Sequence, residues 1–101
     1  MGNIFNVPRP AGLERATYVR DLRRAVAEAT SGWRPDLILL SAGFDAMAGD
    51  PLAGFPLEPE DYVTWVREWR ALGVPIASVL EGGYVPERIR IAAAAHLRAL
   101  A

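Results

Sequence analysis

Carboxylates and a tyrosine follow directly after the two most apolar stretches of this chain. Residues 37–40 form one apolar run, which leads into Asp45 and Asp50, and residues 76–80 form a second, which leads through a glycine pair to Tyr84. Such runs are typical of parallel strands that are covered on both faces. Ligands of open α/β sheets bind beyond the carboxyl ends of the strands. We therefore expect Asp45 and Tyr84 to face one cleft at the same edge of a parallel sheet.

The residue types leave several roles open at these positions. Asp45 is suited to be a metal ligand, a general base or a turn-forming residue, whereas we expect the carboxylate of Asp50 to bond nearby backbone N–H groups. Gly82 and Gly83 permit a positive φ or a close approach to a ligand, and they are equally typical of an ordinary tight turn. Tyr84 is chemically able to donate a hydrogen bond to an oxyanion, or it simply packs.

Composition excludes several classes of function. The chain has 101 residues, which sets an upper limit of one domain, and its 51% apolar content with a net charge of −1 is not typical of a disordered or nucleic-acid-binding protein. It has no cysteine, which excludes disulfides and thiolate sites, and its basic residues are all Arg, which excludes Schiff-base chemistry. No apolar run reaches the ~20 residues of a membrane helix, and we expect a soluble cytoplasmic protein.

Periodicity predicts six elements in the order βαβαβα. A short strand or strand end is expected at residues 3–7, a helix at 13–31, and a strand that begins with the run at 37–40 and stops at Gly43. A helix from Pro59 to about residue 72, a strand at 76–80 and an Ala-rich helix from Pro86 are expected to follow. Alternating strands and helices favour an α/β fold with a parallel sheet and right-handed crossovers.

Two other candidates are weaker. His96 lies beside the apolar stripe of the last helix, where we interpret it as a packing residue rather than a ligand. A triad of Ser41, His96 and Asp45 is rejected, because Ser41 does not lie in a nucleophile elbow. The aromatic residues at 62–69 have the spacing of a helix core.

Three motifs together resemble the histone deacetylase superfamily. They are Ser-Ala-Gly-Phe-Asp at 41–45, Gly-Asp-Pro-Leu at 49–52 and Leu-Glu-Gly-Gly-Tyr at 80–84, with Asn-Val-Pro at 6–8 in addition. The acetoin-utilisation deacetylase and acetylpolyamine amidohydrolase branches are the most similar. The resemblance identifies residues 1–101 as a C-terminal segment of a deacetylase-like catalytic domain. It implies part of a three-layer α/β/α fold of the arginase/deacetylase type.

The same resemblance implies a role for each matching residue. Asp45 would be a zinc ligand, and Tyr84 would donate a hydrogen bond to the substrate carbonyl as it becomes an oxyanion. Zinc polarises such a carbonyl and activates a water. Pro51 and Leu52 would line the acyl channel. The backbone of Gly82 and Gly83 would line the site beside the zinc.

The chain departs from the family pattern in its histidines. The family uses an Asp-x-His ligand motif and a His-His pair upstream, whereas this chain has one histidine. We expect one zinc ligand of three, no zinc bound by the isolated chain and no activity without an N-terminal portion that supplies the histidines. The substrate of the complete enzyme would be an acetylated small molecule or an acetyl-lysine.

Two further hypotheses remain open. In the first, the chain is a non-catalytic α/β remnant that acts as an oligomerising or interaction module. Its apolar strands would leave an open sheet edge and an uncovered face if a neighbour were missing, which favours self-association. In the second, the chain is a small-molecule-binding α/β module unrelated to deacetylases.

Overall fold

A computed structural model describes residues 3–101. It contains five elements: α1 (Arg15–Ala29), β1 (Ile38–Ala42), α2 (Pro59–Arg70), β2 (Ile76–Leu80) and α3 (Pro86–Leu100). All three predicted helices form, and the strand predicted at 76–80 has the predicted bounds. Pro59 and Pro86 each begin a helix, where the missing N–H of proline has no intrahelical partner to lose.

The first predicted strand is absent, so the prediction of the order βαβαβα was wrong at its first element. Residues 3–10 have no regular secondary structure, and the side chains of Ile4 and Phe5 are exposed. A strand forms only where a neighbour pairs with its backbone, and the sheet of the described residues contains β1 and β2 alone. Pro8 and Pro10 further reduce the N–H groups that this segment could offer.

β1 and β2 pair in parallel, as predicted. The register runs from Ile38 opposite Ile76 to Ala42 opposite Leu80. The pairing continues past β1, where the Phe44 N–H donates to the Gly82 carbonyl at 2.8 Å. Because α2 connects the two strands, residues 38–80 form a βαβ unit whose strand ends point to the same edge of the sheet.

The helices cover one face of this sheet. Leu40 of β1 lies with residues of α1 and α2, while its register partner Ser78 bonds a side chain of α3. The opposite face carries Leu39 and Val79, which are 73% and 62% exposed. Among residues 3–101 this other face is open, because α1, α2 and α3 all pack on the same side of the sheet.

The core lies between the helices and the covered face of the sheet. Its buried members are Phe44, Met47, Leu57, Tyr62, Trp65 and Ala92. The rings of Tyr62 and Trp65 meet edge to face at 5.6 Å, which confirms that the aromatic stripe of α2 is core. Asp61 at the start of α2 is buried and accepts hydrogen bonds of 2.8 and 3.1 Å from Arg15, which joins α1 to α2.

His96 is a core residue, as predicted. It is 6% exposed, its Nε2 lies 2.8 Å from the Ser78 hydroxyl, and its ring meets the Phe44 ring edge to face at 5.8 Å. Burial lowers the pKa of His96, because the imidazolium would lose its hydration. The neutral imidazole therefore joins α3 to β2.

None of the helices among residues 3–101 has the length and apolar character that crossing a membrane requires.

The burial of His96 predicts a pH dependence of stability. Its folded pKa lies below the ordinary value of 6.5, so the unfolded chain binds more protons below that pH. The free energy of unfolding should decrease as the pH falls through this range, since stability is complete only above the unfolded pKa. Urea unfolding between about pH 7.5 and about pH 5.5 would measure it. His96→Gln should remove this component, and an unchanged slope in the variant would contradict the prediction.

Candidate active site

The loops that follow β1 and β2 are joined at one edge of the sheet. Asp50 makes the connection: one carboxylate oxygen accepts the Leu52 N–H at 2.9 Å, and the other accepts the Tyr84 N–H at 3.1 Å. This confirms the prediction that Asp50 bonds backbone N–H groups. The first bond closes a local turn, and the second fixes the start of the Tyr84 segment against the loop after β1.

Asp45 lies in a slot between two glycines. A Cβ at Gly43 would come 2.9 Å from one Asp45 carboxylate oxygen, and a Cβ at Gly82 would come 2.9 Å from the other. Real Cβ atoms do not approach oxygen so closely, so a side chain at either position would force the Asp45 carboxylate to move. The backbone of Gly82 thus lies close to the Asp45 side chain, and its predicted approach to a ligand stays a prediction.

Gly83 needs glycine for a different reason. Its φ is +135°, a conformation that residues with a side chain rarely adopt, and a Cβ there would lie 2.9 Å from a carbon of Ile89. The glycine pair thus combines a close approach at Gly82 with a left-handed backbone at Gly83. The second feature turns the chain from β2 toward α3.

Phe44 holds the Asp45 loop against the core, a role that the sequence analysis did not predict. Its side chain is 2% exposed and packs on Tyr62 at a centroid distance of 4.9 Å, as well as on His96. Its backbone N–H is the donor to Gly82. Since Phe44 directly precedes Asp45, these contacts fix the backbone that carries the carboxylate. Gly43 was likewise overlooked as part of the slot, although a small-residue run at 41–43 was a visible signal.

A cavity of about 310 Å³ lies beside Asp45. Its lining comes from α1, from the end of β1, from α2 and from His96 of α3. Burial and, secondly, the Asp45 charge raise the pKa of Tyr18, and burial raises the pKa of Tyr62 above its ordinary range. Both tyrosines therefore stay neutral at physiological pH.

The other predicted site residues lie toward the solvent. Tyr84 is 55% exposed and Leu52 is 70% exposed, and Pro51 is exposed as well. Tyr84 shares the sheet edge with Asp45, as the chain order requires, but it is not among the described residues that line the cavity. The structure thus brings the two loops together and leaves the phenol at the surface.

The described residues fit one metal ligand and not a complete site. Among residues 3–101 no group of three His, Cys, Asp or Glu side chains is arranged to hold a metal ion. Asp45 supplies a carboxylate, which is a suitable ligand for zinc. The carboxylate of Asp50 is engaged by backbone N–H groups.

The rejected triad is also excluded by position. The Ser41 hydroxyl donates to Glu81 at 2.7 Å, while His96 bonds Ser78. Side chains alternate between the faces of a strand, so Ser41 lies on the open face and His96 lies under the covered one.

Comparison with known families identifies the class of protein. The sequence profile of the histone deacetylase domain family matches residues 1–100. The chain therefore belongs to the histone deacetylase family, and the resemblance seen in the motifs is confirmed.

Individual relatives show how the match is distributed. The chain is 43% identical over 70 residues to a probable deacetylase of Methanothermobacter thermautotrophicus, which covers 68% of the chain and 21% of that protein. It is 34% identical over 90 residues to acetylpolyamine amidohydrolase 2 of Pseudomonas aeruginosa, with 89% and 26% covered. The solved HDA15 HD domain superposes with a TM-score of 0.79 at 31% identity, over 90% of this chain and 26% of that one.

These matches confirm the α/β fold of the deacetylase type. The chain spans about a fifth to a quarter of the length of these relatives.

The slot around Asp45 predicts a coupling between two positions. Gly82→Ala should destabilise the fold by about 1–3 kcal/mol, because the new methyl group collides with the carboxylate. In an Asp45→Ala background the same substitution should have a smaller effect, since the colliding atoms are gone. Urea unfolding of the four chains measures the coupling free energy, and additive effects would contradict the slot.

Proposed function

We propose that this chain supplies part of the active site of a zinc-dependent deacetylase that hydrolyses an acetyl-amide. The observation that carries the proposal is the Asp45 carboxylate, held between Gly43 and Gly82 at the carboxyl edge of a parallel sheet. Membership of the histone deacetylase family supports this choice of reaction. A cytoplasmic location stays a prediction.

In this proposal Asp45 holds the zinc ion through a carboxylate oxygen. When bound, zinc would polarise the acetyl carbonyl and activate a water. The remaining ligands and a proton-transferring base must come from outside the described residues, because His96, the one histidine, is buried against Ser78. The isolated chain is accordingly inactive, and the metal requires a second polypeptide portion.

Tyr84 is proposed to donate its phenolic hydrogen to the carbonyl oxygen as negative charge develops there. A donor that is positioned before the reaction stabilises this charge without reorganisation. The bond from the Tyr84 N–H to Asp50 fixes the backbone of this residue beside the Asp45 loop. Its exposed ring is accessible to a substrate.

The walls of the acyl channel are assigned to the two loops at the same edge. Exposed apolar surface at Leu52, together with Pro51, suits contact with an acyl group or an alkyl stem. Gly82 and Gly83 leave the backbone free of side chains beside Asp45. The proposed substrates are acetylated small molecules, including polyamines, and acetyl-lysine. The similarity to acetylpolyamine amidohydrolase 2 of Pseudomonas aeruginosa supports the polyamines.

Reconstitution tests the proposal directly. The chain would be mixed with the part of the Methanothermobacter deacetylase that lies outside the matched segment, with zinc and acetyl-lysine or acetylpolyamine as substrate. We expect deacetylation by the mixture and none by either part. Tyr84→Phe should reduce kcat by about 100- to 1,000-fold, whereas Trp33→Phe, an exposed aromatic far from this edge, should not.

Two results would count against the proposal. One is a complex that forms and binds zinc but releases no acetate. The other is full activity of the Asp45→Ala chain in that complex, which would remove the carboxylate from its assigned role.

The open sheet face favours a second candidate, an oligomerising module without chemistry. Leu39 and Val79 expose apolar surface on that face, and both strands have an unpaired edge within the described sheet. Unpaired edges and apolar faces promote association between chains.

Sedimentation velocity over a range of concentrations tests this candidate. We expect dimers or larger species that Val79→Lys shifts toward monomer, because a charge on the open face opposes its burial. Leu97→Lys, at a position on α3 that is also exposed, serves as the matched control and should not shift the distribution. A monomer at every concentration would contradict the second candidate.

A further inference from the structure

Residues 48–57 form a loop whose two ends are held together. The Ala48 N–H donates to the Leu57 carbonyl at 2.8 Å, and the Leu57 N–H donates to the Ala46 carbonyl at 3.1 Å. The loop contains Asp50 and both residues that the proposed function assigns to the wall of the acyl channel. Because its ends lie together, one side chain from another element is able to contact both of them.

Arg88 of α3 makes these two contacts. Its Cδ lies 3.7 Å from the position of a Cβ at Gly49, so the apolar stem of the side chain runs beside the start of the loop. Its guanidinium donates a hydrogen bond of 2.6 Å to a carboxylate oxygen of Glu58, the residue that follows the loop. Arg88 and Asp50 also line the same narrow gap. The Arg88–Glu58 ion pair therefore joins the first turn of α3 to the base of the loop.

Glu58 is fixed in the fold. It is the N-cap residue of α2, and its N–H donates to the buried Asp61 carboxylate at 2.9 Å. The same carboxylate pairs with Arg15 of α1. The Nε of Arg88 is buried without a partner among residues 3–101, so the guanidinium is held through its contact with Glu58. Loss of either partner would release the other end of α3 from this support.

Tyr84 lies one helical turn before Arg88. The α3 helix starts two residues after Tyr84, and the Ile89 N–H donates to the Val85 carbonyl at 3.0 Å, which fixes the turn between them. The position of Arg88 therefore limits where the Tyr84 backbone lies relative to the loop. The bond of 3.1 Å from the Tyr84 N–H to Asp50 requires this placement, since it joins the two segments.

We propose that Arg88 is a positioning residue for the deacetylase reaction, which holds Tyr84 in place through its ion pair with Glu58. This inference rests on the proposed function, because it takes Tyr84 as the donor to the developing oxyanion. Such a donor stabilises the transition state only when it is already aimed at the oxygen. A weaker ion pair should therefore lower kcat and leave KM nearly unchanged.

Amide hydrogen exchange of the chain alone tests the positioning without any activity. Arg88→Met keeps an apolar stem and removes the ion pair, so the packing of the stem is retained. We expect the Tyr84 N–H to exchange at least about threefold faster in this variant, because its bond to Asp50 opens more often. The Ile38 N–H, which bonds Pro75 at the other end of the sheet, should exchange at an unchanged rate.

Matched variants separate the ion pair from a general loss of charge. Arg90 pairs with Glu87 on the same helix, where the two side chains are 72% and 76% exposed, so Arg90→Met should leave the Tyr84 exchange rate unchanged. Arg88→Lys keeps a cation and should restore part of the protection. Glu58→Ser keeps a residue that is favoured at a helix N-cap and removes the partner of Arg88.

Glu58→Ser also keeps the test decisive if Arg88→Met does not fold. It should accelerate exchange of the Tyr84 N–H to the same extent as Arg88→Met. The double variant should exchange no faster than either single variant, since both remove one interaction.

Kinetics of the reconstituted complex test the consequence for the reaction. The partner is the part of the Methanothermobacter deacetylase outside the matched segment, with zinc and an acetylated substrate. Arg88→Met should lower kcat by about tenfold and change KM by less than about twofold. Arg88→Lys should recover part of kcat, and Arg90→Met should equal the unchanged chain.

The outcomes separate this inference from the proposed function. An unchanged Tyr84 exchange rate in Arg88→Met would overturn the positioning role, and so would an equal acceleration at Ile38, which would indicate general destabilisation. An unchanged kcat in an active complex would overturn it as well. A complex that releases no acetate with any of these chains would count against the proposed chemistry, while faster exchange confined to Tyr84 would still support the positioning by Arg88.

Discussion

The hydrogen bond from the Phe44 N–H to the Gly82 carbonyl is the contact on which the rest of this molecule depends. It extends the pairing of two five-residue strands beyond their ends and brings two loops distant in sequence side by side. A two-stranded parallel sheet is weak by itself, so this extension must be supported from elsewhere. That support comes from the Phe44 ring, which Tyr62 and His96 hold in the core.

Space, rather than conformational freedom, is the main constraint at the loop junction. The Asp45 carboxylate lies between the two strand ends in space that side chains at Gly43 and Gly82 would occupy. Asp50 then ties the two loops through backbone N–H groups without occupying the slot. Asp50 therefore has a structural role, whereas the Asp45 carboxylate accepts no such hydrogen bond from the backbone.

Within the described residues the fold leaves apolar side chains exposed and buried polar atoms without hydrogen-bond partners. An apolar sheet face is open, a strand edge is unpaired, and the Tyr62 hydroxyl, the Trp65 Nε1 and the His96 Nδ1 have no partner in the described residues. These features coincide in a chain that spans a fifth to a quarter of its relatives. Parallel sheets are typically covered on both faces, whereas the face that carries Leu39 and Val79 is open among the described residues.

The sequence alone determined the elements and the identity of the chain. Apolar runs, helix periodicity and prolines at helix starts located all five elements of the structure closely, and the motifs at 41–45 and 80–84 identified the family. The strand expected at 3–7 failed because strands need partners that local sequence does not reveal. Only the tertiary structure decided the glycine slot, the burial of His96 and the open sheet face, since each depends on which distant segments meet.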